Sequence, residues 1–330
     1  MFRVGVTRDL RMADGEPCFG RPAFDVLAAN ADIAWEWLAD DLKEVTPDIA
    51  ARYDGLHLNL PRVSAQSLAR GDCRLKVIAR HGVGYDTVDL PAATAKGIVV
   101  TNTPVAVRRP VAVATLTLLF ALAGRLLKKN ELVQTGRWND RLDYMGQGLT
   151  GRTLGLVGAG SIGKEILTLA RLFFARMIVA DPYADAGAMR ALGAEVVPID
   201  ALMREADFVV VCCLLNEETR HLIDARKLAL MKQTAYYINV GRGPIHDERA
   251  LADVLQAGRI AGAGLDVTER EPIETGSPLL GLENVIITPH ALCWTDECFH
   301  DIAATALQSI ADVSLGRRPK HVVNAGVYGR

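Results

Sequence analysis

Little in this chain marks it for a special environment. Its 330 residues carry a formal net charge of -2, so no excess of one sign points to a polyanion such as nucleic acid. Long apolar runs are missing. The longest, Pro110 to Gly124 between Arg109 and Arg125, falls short of the roughly 20 residues that span a bilayer. A buried core or interface helix is expected there instead. The opening Met1-Phe2-Arg3-Val4-Gly5-Val6 reads as a strand rather than a leader. The six cysteines, at 18, 73, 212, 213, 293 and 298, keep no regular spacing. Reduced thiols in a cytoplasmic protein are the expectation, with neither membrane nor nucleic acid as partner. No metal is expected. His290, Cys293, Cys298 and His300 lie close in sequence, but without the close Cys pair of a zinc finger. Low-complexity tracts and short repeats are also absent.

What is present reads as a folded globular chain. Half of the residues are hydrophobic and 23% are charged. The length suits two domains. In the first hundred residues, strands are expected at Phe2 to Val6, Gly55 to Leu60, Leu75 to Ala79 and Ile98 to Thr101. Helices are expected at Arg21 to Asn30, Thr46 to Tyr53, Ser64 to Arg70 and Thr87 to Lys96, and a long one from near Pro110. From Thr153, strands are expected at 153–157, 177–180, 194–197, 207–213, 235–240, 260–266 and 285–288, and a last helix over about 296–315. Such alternation predicts mostly parallel, doubly wound sheets.

One turn stands out. Val157-Gly158-Ala159-Gly160-Ser161-Ile162-Gly163 follows a strand-like run and opens a helix-like one. A second apolar run then ends in Asp181. Gly158 permits a tight turn, Gly160 a close backbone approach to a pyrophosphate, and Gly163 close packing of helix on strand. Helix-start N–H groups, those of Ser161 and Ile162 among them, attract phosphates. Asp181 is placed to accept from an adenosine ribose. It argues for NAD over NADP, because a carboxylate repels a 2′-phosphate and no Arg follows it directly. A flexible loop would explain the glycines alone, but not strand, helix and acid together. The turn lies in mid-chain, so a second α/β domain precedes it.

Three further segments carry candidate chemistry. Ile238-Asn239-Val240-Gly241-Arg242-Gly243-Pro244 places an Arg between glycines at a strand end, where a guanidinium can fork a carboxylate. Asp266-Val267-Thr268-Glu269-Arg270-Glu271-Pro272 follows another strand, and Ile287-Thr288-Pro289-His290 a third. A Glu that meets a His can orient its imidazole for general acid or base work. Singly, each has a structural reading: a surface Arg in a turn, or a His that caps a helix.

Together these segments resemble the D-isomer-specific 2-hydroxyacid dehydrogenases, which include phosphoglycerate, glycerate and lactate dehydrogenases. Ala79-Arg80-His81-Gly82-Val83-Gly84-Tyr85-Asp86 and Gly97-Ile98-Val99-Val100-Thr101-Asn102-Thr103-Pro104 add upstream marks, and the resemblance covers nearly the whole chain. It implies a Rossmann NAD domain inserted into a flavodoxin-like substrate domain, both doubly wound parallel-sheet α/β. Residues 104–291 would form the first, and 1–103 with 292–330 the second. It implies Arg242, Glu271 and His290 as the catalytic set, with Arg242 on the substrate carboxylate and keto oxygen. Substrate contacts would come from Arg80, the backbone of Val83 and Gly84, and Trp294. Asp266 would meet the nicotinamide carboxamide. The expected reaction is hydride transfer between NAD and a small D-2-hydroxy acid, of phosphoglycerate or glycerate type, in a homodimer built through the NAD domain. The alternative is an NAD-binding corepressor-like regulator on the same fold.

The chain also departs from the family. Cys212 and Leu214 stand where a His and a Pro are usual, so Cys212 is the expected cofactor neighbour, either oxidation-sensitive or a buried inert thiol. Val113 replaces a usual Glu. Trp294 either walls the substrate pocket or packs internally. Arg8, Arg62, Arg80 and Arg108 either face a cleft, favouring a second anionic group on the substrate, or are solvated.

Overall fold

The computed structural model describes residues 1–329. It divides into two compact units, one of Met1–Val107 with the chain from Trp294 onward, the other of Arg108–Cys293. The first unit holds five parallel strands, β1 (Phe2–Val6), β2 (Ile33–Trp37), β3 (Gly55–Leu58), β4 (Val77–Arg80) and β5 (Val99–Thr101), in the order β2-β1-β3-β4-β5. This is the flavodoxin-like order. β3 and β4 are buried along their whole length, as strands covered on both faces must be. One face packs on the C-terminal helix Asp296–Ser314, whose Phe299, Ala303, Ala306, Leu307 and Ile310 share a core with Phe2, Val4, Val6 and Val77. Thr295 caps that helix by accepting from Cys298 N at 3.1 Å. The two ends of the chain therefore build one domain.

The second unit holds seven parallel strands: β6 (Thr153–Val157), β7 (Arg176–Ala180), β8 (Ala194–Val196), β9 (Phe208–Val211), β10 (Tyr236–Asn239), β11 (Gly262–Leu265) and β12 (Val285–Ile287). Their order, β12-β11-β10-β9-β6-β7-β8, is a Rossmann sheet with one strand added at the β12 edge. It reverses direction of growth at β6, and the glycine turn leaves β6 at that switch point.

Two expectations need correction, and one strand has no counterpart among them. That strand is Ile33–Trp37. It lies at a sheet edge with both faces half covered, so its apolar alternation is weak, and Trp35 stacks on Phe24 at 3.8 Å. Residues 64–70 form turns rather than a helix. The helix expected from Pro110 instead runs Pro104–Ala123 with Pro110 inside it. Pro104 sits in the first turn, where its missing N–H is of no consequence, so it starts the helix. At 20 residues this helix is long and apolar enough to cross a membrane, but half of it is buried. Leu118 and Leu122 press on Gly264 of β11, while Val105, Val113 and Phe120 are 55%, 50% and 40% exposed. It is a core helix with an uncovered apolar side, not one buried all round.

At the ends of β3 and β4, two imidazoles are buried against each other. His57 Nε2 and His81 Nδ1 are 3.0 Å apart. Burial, reinforced by the Arg80 guanidinium, pushes His57 from its ordinary 6.5 down to about 3. His81 is held well below its ordinary value by burial, by His57 and by Arg80. Both rings are neutral in the fold and take up protons on unfolding. The His57 contribution is complete above pH 6.5 and is lost as pH falls towards 3, and that of His81 falls in the same direction. The slope is at most about 1.4 kcal/mol per pH unit for each ring. The urea midpoint is expected to drop between pH 7 and 4.5, and to drop less steeply in His57→Gln. Equal slopes in the two proteins would contradict a neutral buried pair.

Candidate active site

The candidate residues of the second unit all sit beyond the carboxyl ends of its strands. At the end of β6, Gly158 has φ +104°, a conformation that side chains resist. A Cβ there would meet Cys213 N at 2.7 Å, and one on Gly163 would meet Gly158 O at 2.4 Å. Turn and helix are therefore in backbone contact. A Cβ on Gly160 would meet nothing within 4 Å, which leaves that backbone open to close approach. Gly160 caps the helix Ser161–Ala170 without a side-chain acceptor. The first N–H groups of the helix are thus available to an anion. Asp181, just past β7, accepts from Ala159 N at 2.7 Å and from Tyr183 N at 2.8 Å, one on each oxygen. The two bonds fix its carboxylate beside the turn with lone pairs to spare. This donor and acceptor set fits a dinucleotide.

Cys212, just past β9, lies under the same turn. Its thiol donates to Gly158 O at 3.2 Å. Burial, with Cys213 and Asp181 nearby, pushes the thiol far above its ordinary value. The raised value disfavours a thiolate there.

Arg242 follows β10. Asn239 shapes its turn, accepting from Gly241 N at 2.9 Å and donating to Arg242 O at 3.0 Å. Arg242 Nη1 donates to Gly241 O at 2.9 Å. Gly243 lies flat on the next loop, where a Cβ would fall 1.9 Å from the Thr268 carbonyl. No other residue fits there. Beyond β11, Asp266 is buried, and one of its oxygens accepts from Thr288 Oγ1 at 2.6 Å, Ala291 N at 3.1 Å and Leu292 N at 3.2 Å. Asp266 therefore anchors the segment that carries His290. The sequence offered no signal for that long-range role, nor for those of Asn239 and Gly243.

His290 and Glu271 meet. His290 Nδ1 is 2.9 Å from Glu271 Oε2, and both side chains are about two-fifths exposed. His290 has φ +55°, a left-handed conformation that is uncommon outside glycine and that clusters at functional sites. Burial alone would raise the Glu271 carboxyl. The hydrogen bond and charge of His290, the Thr268 N–H and Arg242 outweigh it, and Glu271 titrates below its ordinary value. An ionised Glu271 can only accept, so Nδ1 carries the proton and Nε2 faces away from the pair.

The remaining candidates lie in the first unit. Arg80, at the end of β4, is buried. It donates to Gly84 O at 3.0 Å, to Leu58 O at 3.1 Å and to Asn59 O. Gly82 N donates to Thr103 Oγ1 at 3.2 Å, and Val83 O accepts from Asn102 Nδ2 at 2.8 Å. These bonds fix the 82–84 turn. Trp294 is half exposed and lies edge-on to Phe299 at 4.8 Å.

A switch-point glycine turn with an acid on the next strand, followed by Arg, Glu and His at later strand ends, has a counterpart among known proteins. The family model for the NAD binding domain of D-isomer specific 2-hydroxyacid dehydrogenases matches residues 116–291. The chain belongs to this family. It is an NAD-dependent dehydrogenase. A glyoxylate reductase of Korarchaeum cryptofilum (strain OPF8) is 38% identical over 257 residues, 77% of each chain. A D-3-phosphoglycerate dehydrogenase of Methanocaldococcus jannaschii is 39% identical over 252 residues, which are 76% of this dehydrogenase but only 48% of that protein. The TT0316 protein from Thermus thermophilus superposes with a TM-score of 0.84 at 32% identity, over 98% of this chain and 100% of that one. A D-lactate dehydrogenase from Aquifex aeolicus, complexed with NAD and lactic acid, gives 0.83 at 25% identity over 95% and 96%.

Proposed function

We propose that this dehydrogenase interconverts a small 2-keto acid, of the size of glyoxylate or hydroxypyruvate, and its D-2-hydroxy acid. The observation that carries the reading is the His290–Glu271 pair at 2.9 Å, beyond the strand ends of an NAD-binding sheet. His290 Nε2 gives a proton to the keto oxygen in reduction and takes it back in oxidation. Glu271 accepts from Nδ1 and so orients the ring. Arg242 binds the carboxylate and stabilises charge on the oxygen. In the first unit, the N–H groups of Val83 and Gly84 and the side chains of Arg80 and Trp294 are the substrate-binding groups of this reading, and Arg80 braces the 82–84 turn. NAD(H), when bound, supplies the hydride chemistry. Gly158, Gly160, Ser161, Ile162, Gly163 and Asp181 hold it, Asp266 orients its carboxamide end, and Cys212 supports the turn from beneath.

Two arginines that could have served a phosphate are engaged. Arg80 is committed to carbonyls, and Arg108 pairs with Glu165 at 3.6 Å. This favours an unphosphorylated acid. Residues 104–291 act as the NAD domain, and 1–103 with 292–330 as the substrate domain, in a cytoplasmic homodimer. The uncovered Val113 and Phe120 of Pro104–Ala123, with Phe173 against Phe120 at 5.1 Å, suit that dimer contact. NADH oxidation is to be measured against glyoxylate, hydroxypyruvate, phosphohydroxypyruvate and a branched keto acid. The first two are expected to exceed phosphohydroxypyruvate in kcat/KM by about tenfold or more. The reverse ranking would overturn the substrate class.

A further inference from the structure

A second His–carboxylate contact lies outside the site just described. His221 Nε2 is 2.6 Å from Glu269 Oε1. Glu269 belongs to the loop that carries Glu271. His221 belongs to a separate segment, and its backbone is fixed to the turn that carries Arg242. His221 N donates to Pro244 O at 2.8 Å, Ile223 N to Ile245 O at 3.0 Å, and Asp247 N to Ile223 O at 3.0 Å. The segment thus runs along the Arg242 turn while its imidazole reaches the Glu271 loop. The same two loops touch at Gly243 and Thr268. Glu248 Oε2 holds the far side by accepting from Glu269 N at 2.7 Å. His221 adopts φ +48°, which a histidine keeps only where its surroundings over-determine it.

We propose that His221 is a positioning residue. With Glu269 it latches the Glu271 loop to the Arg242 turn, and so sets the guanidinium relative to the His290–Glu271 pair. This rests on the roles given above to Arg242, Glu271 and His290. Neither latch residue touches the reacting atoms. Both are partly exposed, at 45% and 35% for their side chains, so the contact adds little to global stability. Its effect lies in geometry, where a misplacement of about 1 Å costs on the order of 100-fold in rate.

The test compares His221→Leu, Glu269→Ala, the double variant and His221→Gln, with glyoxylate or hydroxypyruvate as substrate. Each single variant is expected to lose about tenfold or more in kcat/KM. NADH affinity should stay within about twofold, since the glycine turn is untouched. The double variant should be no worse than either single one, because both remove one contact. His221→Gln keeps a donor for Glu269 and should recover most of the rate. If His221→Leu fails to fold, Glu269→Ala reads the same contact from its other side. Wild-type kcat/KM in both single variants, additive losses in the double variant, or no rescue by Gln would each overturn the latch. His290→Ala serves as control. If it is inactive while His221→Leu behaves as wild type, the latch alone fails. If it turns over normally, the catalytic roles fail and the latch with them.

Discussion

Replacing His290 by Ala is expected to lower kcat for keto-acid reduction by about 100- to 10,000-fold, the range for losing a positioned general acid. The Kd for NADH should stay within about twofold. Three features make the effect chemical rather than structural. The imidazole is about two-fifths exposed, so its removal opens no core cavity. Asp266 holds the segment through Thr288 Oγ1, Ala291 N and Leu292 N, none of which involves the ring. The dinucleotide turn is built from other strands. Glu271 also loses the partner that lowers it most, so its carboxyl rises back towards or above the ordinary value. A carboxylic acid there does not replace the lost proton donor, because its position is that of the orienting group. Steady-state kinetics and NADH fluorescence titration check both halves. Rates within tenfold of wild type would count against His290 as the proton donor.

Gly243→Ala carries the second large effect. A methyl group there would sit 1.9 Å from the Thr268 carbonyl carbon and oxygen and 2.3 Å from Glu269 N. These are backbone atoms, so no side chain can swing away. Thr268 is held in turn, its N–H by Glu271 Oε1 at 3.3 Å and its hydroxyl by Arg270 O at 2.8 Å. Either the Arg242 turn or the Glu271 loop must therefore move. The expected result is a loss of about 100-fold or more in kcat/KM. Stability should fall by about 1–3 kcal/mol, as in overpacked sites. Urea unfolding and kinetics on the same preparation test this, and a wild-type kcat/KM would show that the two loops are not in the contact described.

Much of the fold, and the placement of the candidate residues at strand ends, was legible in the sequence, for local reasons. A glycine turn between an apolar strand and a helix is a short-range pattern, and so is a strand that ends in Asn239-Val240-Gly241-Arg242. Buried parallel strands such as Phe208–Val211 announce themselves as unbroken apolar runs. What escaped depends on tertiary context. Ile33–Trp37 is a strand only because β1 pairs with it in parallel. The helix that begins at Pro104 tolerates Pro110 because its apolar face is held by the core around Leu118 and Leu122. The family resemblance implies a site role for Asp266, but that it anchors the His290 segment could not be known before β11 and β12 were paired. The His221–Glu269 contact joins residues 48 positions apart, with nothing in their spacing to suggest it.

The central claim is stereospecific reduction of a small 2-keto acid by NADH. The most direct measurement incubates the enzyme with NADH and hydroxypyruvate and follows both cofactor consumption and product chirality. One NADH should be consumed per product formed, and the product should be D-glycerate. NADH binding without oxidation, or formation of the L-isomer, would contradict the account.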